Sequence, residues 1–132
     1  MRLQNNLYHI THIAADTDAP AYTIALDGSH PIYQAHFPGE PITPGVCIIQ
    51  IAKELLEHHL SSRLDIVAVK NAKFLSVISP DTTPEVTYVI RKTSTDVATS
   101  TIQAQMTVEA DGQPLAKISL RCTPTTLPDG RH

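Results

Sequence analysis

The residues able to do chemistry gather between His30 and Glu54, which read HPIYQAHFPGEPITPGVCIIQIAKE. One imidazole, His36, stands before Phe37 and among prolines at 31, 38, 41 and 44, with glycines at 39 and 45. Proline fixes φ, so Pro38, Pro41 and Pro44 leave the loop little freedom and hold His36 in place. Gly39 and Gly45 allow a ligand to approach the backbone closely. A helix starting here adds unpaired N–H groups and a positive dipole end. A fixed imidazole can draw off a proton while such donors polarise a carbonyl. That combination suits proton removal from the carbon next to a thioester carbonyl.

Other reactive side chains read more simply. Cys47 and Cys122 lie far apart in apolar patterns, as packed, reduced thiols of a cytoplasmic protein do. Cys47 at the helix start could be an activated thiolate, but a small packed hydrophobe fits its neighbours better. His58 and His59 place favourable charge at the negative end of the helix dipole. His9 and His12 have no clustered carboxylate or cysteine, and zinc-ligand spacing is missing, so no metal is expected.

The element that follows the His36 loop is a helix from Thr43 to about Leu60. Thr43 suits the N-cap and Pro44 the first helical position. At 100° per residue Ile48, Ile49, Ile51, Ala52, Leu55, Leu56 and Leu60 share one broad face, with Gln50, Lys53, Glu54 and Glu57 opposite. Elsewhere the period is two. Tyr22, Ile24 and Leu26 alternate with polar or small residues, and Val86, Tyr88 and Ile90 alternate with Thr87, Val89 and Arg91, where Val89 blurs the polar face; Ile66 to Lys73 is a further strand. Ile102, Ala104, Met106 and Val108 face Ala116, Ile118, Leu120 and Cys122 across an Asp111-Gly112 turn, which gives a long antiparallel hairpin. One long helix in an antiparallel sheet is an α+β arrangement with the sheet wrapped over the helix.

The 132 residues, 42% hydrophobic with 10 prolines, fit one domain with its own core, residues 1–6 and 124–132 being frayed ends. The net charge is −3 and basic residues never run beyond a pair, which argues against nucleic acid. No stretch is apolar enough to cross a membrane, and Met1 to Asn6 carries no signal-peptide pattern.

His36-Phe37-Pro38-Gly39, Pro41-Ile42 and Pro44-Gly45-Val46, followed by a helix, resemble the signature of the bacterial 3-hydroxyacyl-[acyl carrier protein] dehydratases. Lys73-Phe74, Val77, Pro80 and Asp81 are similar to that family's second block. The resemblance covers roughly residues 20 to 122. It implies a hot-dog fold, a dimer or a higher assembly of dimers, and a cofactor-free site at the subunit interface with an acyl tunnel along the helix. It makes His36 the base and the Gly45 N–H the carbonyl donor. Phe37, Gly39, Pro44, Gly45 and Val46 would contact the acyl thioester of acyl carrier protein or coenzyme A.

The sequence departs from the family where the helix should read E-x-x-x-Q and instead reads Gln50-x-x-x-Glu54. An amide has no proton to give a departing hydroxide. Glu54, one turn on, could reach the site through a water, or be a surface glutamate; Gln50 could line the tunnel or face solvent. Ala35 stands where the family has glycine, and His30 where it is commonly acidic. Three readings follow: a dehydratase using His36 with Gln50 or Glu54, a silent subunit binding acyl chains or paired with an active homologue, and an acyl thioesterase. Lys70, Lys73, Arg91, Lys92 and Arg121 could meet an acidic carrier protein.

Overall fold

The computed structural model describes residues 2–36 and 39–125, with the side chain of His36 outside that description. Six strands and two helices follow one another: β1 (Tyr8–Ala14), β2 (Ala21–Leu26), α1 (Pro31–His36), α2 (Gly45–Leu60), β3 (Leu64–Phe74), β4 (Glu85–Asp96), β5 (Thr101–Ala110) and β6 (Gln113–Pro124). The strands form one antiparallel sheet in the order β1-β2-β4-β5-β6-β3. Register shifts in β1, β3, β4 and β6, such as that between Ile90 and Lys92, bend the sheet. One face of the sheet packs on α2, where Ile24, Val86, Met106, Val108 and Leu120 join Ile48, Ile51, Leu55 and Leu56 in one core. The Tyr88 hydroxyl donates to the Ile48 carbonyl at 3.0 Å, tying β4 to the helix. This is the expected α+β arrangement, a hot-dog fold.

The β5–β6 hairpin follows its sequence closely. Ala104, Met106 and Val108 are buried against Ala116, Ile118, Leu120 and Cys122. Asp111 and Gly112 both take positive φ (52° and 76°), the combination a two-residue hairpin turn demands.

Several expectations need correction. Thr43 does not cap α2: Pro44 is the N-cap, extended at ψ 146°, and no side chain caps the end. The Thr43 hydroxyl is instead within 3.0 Å of the buried Tyr33 hydroxyl, and its N–H donates to Ile78 O at 2.8 Å. The Pro44 carbonyl takes the first helical bonds, from Cys47 and Ile48. A short helix, α1, precedes the loop unannounced. His30 starts it, its Nδ1 accepting the Ile32 N–H at 3.0 Å ahead of Pro31, a conformational start for a helix. His30 thus does with a ring nitrogen what a capping carboxylate would do.

The N-terminal residues 2–6 are not frayed. Leu3 and Leu7 are buried in the core, and the backbone of Leu3 and Gln4 is bonded to α2. The expected polar face of α2 is only half polar: Gln50 and Lys53 are partly exposed, whereas Glu54 and Glu57 are buried. The segment before β1 covers that side of the helix and supplies donors to both carboxylates. Of the C-terminal stretch expected to fray, Pro124 ends β6 and Thr125 donates to Arg63 O, while 126–132 lie outside the described residues.

Candidate functional site

Two stretches that are distant in sequence meet at the start of α2. The loop Ile42–Gly45 and the segment Phe74–Ile78 after β3 enclose a cavity of about 530 Å³, completed by Ile48 one turn into the helix. The Thr43–Ile78 backbone bond closes one side. The Leu75 and Ser76 N–H groups both reach Leu115 O, pinning the other wall to β6. The two sequence blocks that resembled one family therefore form one wall each of a single cavity.

Gly45 has a specific reason to be glycine. A Cβ there would lie 3.0 Å from Phe74 Cζ and 3.1 Å from Cε2, so the ring lies directly on the first turn of the helix. With no capping side chain on this end, the first amides, at Gly45 and Val46, are donors beside an apolar cavity. Such a place suits a carbonyl oxygen. Phe74, Leu75 and Val77 are each about half exposed, and Val46 is 71% exposed, so an apolar rim surrounds the opening. A chain of apolar character fits that lining.

Pro44 and Gly45 are therefore at the cavity, as the motif suggested. Val46 projects outward beside it rather than lining it. Gly39 belongs to a neighbouring hollow with Pro41, Val77 and Asp81, and its φ of 87° explains the glycine through backbone conformation. Phe37 and the side chain of His36 lie outside the described residues. Phe74 was legible only as part of a motif; its role as a cover over Gly45 emerges from the structure.

Gln50 and Glu54 do not line this cavity. Gln50 lies five residues beyond Gly45, about 140° round the helix by its 3.6-residue repeat. Its Nε2 donates to Glu54 Oε2 at 2.8 Å. Glu54, weighed from sequence as an acid acting through a water or a surface residue, is neither exposed nor open to a water. Its Oε2 also accepts the Leu3 N–H at 2.7 Å, while Oε1 accepts the Gln4 N–H at 2.8 Å and the Tyr8 hydroxyl at 2.9 Å. Four donors surround a side chain with 0% exposure. Burial, then the Glu54 carboxylate, push the Tyr8 hydroxyl far above the ordinary phenol range, so Tyr8 keeps its proton and donates it.

A turn further on, Glu57 accepts from Arg2 Nη1 at 2.8 Å and from the Leu64 N–H at 2.7 Å, with Lys53 Nζ at 3.6 Å. Burial opposes its ionisation, but the Leu64 amide, Arg2 and Lys53 outweigh that and hold the carboxyl below the ordinary range. The N-terminal segment is thus fastened to α2 by two carboxylates.

Cys47 is buried, and burial raises its thiol above the usual range, so the helix start does not activate it. Cys122, likewise free, is pushed up to about 11 by burial. His59 Nδ1 is 3.1 Å from the Tyr22 hydroxyl, and His58 meets the Tyr22 ring edge to face. Among the described residues no cluster of three His, Cys, Asp or Glu could hold a metal ion, and no helix is long and apolar enough to cross a membrane.

Comparisons with known proteins identify the family. A 3-hydroxyacyl-[acyl-carrier-protein] dehydratase FabZ from Rickettsia akari is 31% identical over 94 aligned positions, covering 62% of this chain and 65% of that protein. The FabZ of Clostridium acetobutylicum is 38% identical over 56 positions, 37% of this chain and 40% of its own. The chain thus spans less than two thirds of these relatives. Among solved structures, the dehydratase heterocomplex ApeI:P from Xenorhabdus doucetiae superposes with a TM-score of 0.62 at 16% identity, covering 86% of this chain and 96% of that one. A thioesterase from Haemophilus influenzae reaches 0.63 at 13% identity, covering 97% and 85%. Those two likenesses speak for the fold. Residues 12–113 match the family model of ApeI-like proteins, described as ApeI dehydratase, and the chain belongs to that family of hot-dog proteins.

Proposed function

We propose that this chain binds 3-hydroxyacyl thioesters, carried by acyl carrier protein or coenzyme A, and takes part in removing water from them. The observation that carries this reading is the apolar cavity at the uncapped start of α2, covered by Phe74 and built from both sequence blocks. In it the acyl chain would lie along Ile48 and Phe74, with the thioester oxygen at the Gly45 N–H. Polarising that carbonyl acidifies the neighbouring C–H, which His36 would take as base. Loss of hydroxide from C3 then completes the double bond, and the hydroxide needs a proton that the Gln50 amide cannot give.

That last point favours a second reading within the same family. With Gln50 at the acid position and Glu54 enclosed by four donors, this chain suits a subunit that works beside an active homologue. The likeness to a protein of a dehydratase heterocomplex supports pairing of this kind. A homodimer, a higher assembly of dimers and a cytoplasmic setting are the corresponding expectations of the first reading.

Dehydration of a 3-hydroxyacyl-carrier thioester by wild type, His36→Ala and Gln50→Glu separates these readings. Turnover by wild type that His36→Ala abolishes supports the dehydratase; unchanged turnover in His36→Ala rules out the base. A silent wild type that gains activity with Gln50→Glu supports the paired subunit, which should then form a mixed dimer on co-expression. Free thiol released from an unhydroxylated acyl thioester would point to a thioesterase.

A further inference from the structure

Tyr33 and Thr43 stand ten positions apart, at the two ends of the stretch that carries the first motif, and their hydroxyls meet at 3.0 Å. Both side chains are buried, at 1% and 4% exposure. Hydroxyls taken out of water cost free energy unless they find a partner, and here they satisfy one another. Burial raises the Tyr33 phenol above its ordinary range, so the pair stays as two neutral hydroxyls.

Short, stiff connections run from this pair to both halves of the candidate chemistry. On one side Tyr33 lies in α1, whose last residue, His36, is three positions and less than one helical turn away. On the other, Thr43 is separated from Gly45 by Pro44 alone, whose ring fixes φ, here −62°. Thr43 is also held by its backbone, its N–H donating to Ile78 O at 2.8 Å, and it lines the cavity. Prolines restrict a loop one residue at a time, whereas the separation of its two ends is set by a bond across its base.

We propose that Tyr33 and Thr43 are positioning residues: their hydroxyl pair clasps the base of the motif loop and holds the end of α1, where His36 stands, in fixed relation to the Gly45 N–H. This rests on the reading that His36 removes a proton from a thioester whose oxygen is at Gly45, and deepens it by naming what sets that relation. Both residues act through the backbone they tie together.

Removing one hydroxyl strands the other, so Tyr33→Phe and Thr43→Val should each lower stability in urea. The double variant replaces the pair by apolar groups of the same shape and should recover most of that loss. It therefore separates a clasp from a contribution to folding alone. The measurement is loss of the C2 proton of a 3-hydroxyacyl pantetheine to D₂O, followed by ¹H NMR. His36 takes that proton and the electron pair moves onto the carbonyl oxygen at the Gly45 N–H. A solvent deuteron, exchanged onto the ring, returns to C2, so proton removal registers even where hydroxide does not leave. The double variant, although stable, should lose the proton about tenfold to a hundredfold more slowly at saturation, with the half-saturating concentration little changed. Thr43→Ser, which keeps a hydroxyl, should recover most of the rate. A double variant that matches wild type overturns the proposal.

A second readout needs no ligand. The Thr43 amide, bonded to Ile78 O, should exchange with solvent about three- to tenfold faster in the double variant, while amides of the β5–β6 hairpin keep their rates. An unchanged Thr43 amide overturns the clasp. Tyr33→Phe alone carries both tests if the double variant does not fold. A wild type that removes no proton, with the Thr43 amide still responding, would refute the thioester chemistry and the positioning role with it, leaving the hydroxyl pair a structural clasp.

Discussion

Replacing Gly45 by alanine sets two effects of known sign against each other. Alanine favours a helix over glycine by roughly 0.5–1 kcal/mol in a helix interior, and by less in the first turn where Gly45 sits. Against this, the new methyl would stand 3.0 Å from Phe74 Cζ and 3.1 Å from Cε2, a tight contact from which the ring must give by a few tenths of an ångström. Overpacking of this kind typically costs about 1–3 kcal/mol. Because Phe74 is 47% exposed, its ring can swing outward, which places the cost near the lower end. Gly45→Ala should therefore destabilise the protein by roughly 0.5–1.5 kcal/mol. In a Phe74→Ala background the obstacle is gone, and the same change should become neutral or stabilising by up to about 0.5 kcal/mol. Urea titrations of the four proteins at one concentration give the coupling, expected at about 1 kcal/mol with an unchanged m-value. If Gly45→Ala has the same effect with and without Phe74, the ring does not lie on the helix start and the account of the cavity fails.

Three further outcomes follow from the same contacts. Glu54→Ala strands the buried Leu3 N–H and Tyr8 hydroxyl and should cost roughly 3–5 kcal/mol in urea, against about 1 kcal/mol for Tyr8→Phe. The folded Glu57 carboxyl is held below its ordinary value of 4.5, so its stabilisation is complete above that value and is lost as pH falls through the lower folded value. Melting temperature from pH 6 down to about 3 should fall more steeply in wild type than in Glu57→Gln; equal slopes would dissolve the Arg2 and Leu64 argument. Cys47 and Cys122, buried with raised thiols, should resist maleimide at neutral pH until the protein is unfolded, and rapid native labelling of Cys47 would contradict its packing.

The parts of the fold written in local periodicity were legible. The β5–β6 hairpin declares itself through strict alternation and an Asp-Gly turn, and α2 through a broad apolar arc. The strand β1 was not, because a register shift between Ile10 and His12 breaks its alternation and Tyr8 alone of its seven residues is buried. α1 is six residues long and begins on a histidine whose ring nitrogen does the capping, a signal no propensity carries. The wheel of α2 placed Glu54 and Glu57 on a polar side correctly by angle and wrongly by environment. What buries them arrives from residues 2–8 some fifty positions earlier, and no window along the helix contains that information.

The same distinction separates what the motifs establish from what they leave to experiment. Prolines and glycines define backbone shape, so Pro44, Gly45 and their partners around Phe74 specify a cavity whatever reaction occurs in it. The dehydration proposed above would expel hydroxide and so depends on where one proton resides, and the Gln50–Glu54 pair is where the sequence departs from the motif. Written as Q-x-x-x-E, the pair keeps one amide and one carboxylate a turn apart but exchanges their surroundings. The carboxylate now sits at the end covered by the N-terminal segment, where Leu3, Gln4 and Tyr8 supply three donors that a glutamine could not all satisfy. The amide is left at the partly exposed end. Gln50→Glu alone would set a new carboxyl within hydrogen-bonding reach of the Glu54 carboxylate, whose charge opposes its ionisation. Gln50→Glu should consequently acquire a carboxyl group titrating well above 4.5, visible by ¹³C NMR, whether or not activity follows. A variant whose new carboxyl titrates in the ordinary range would mean that the two side chains do not meet.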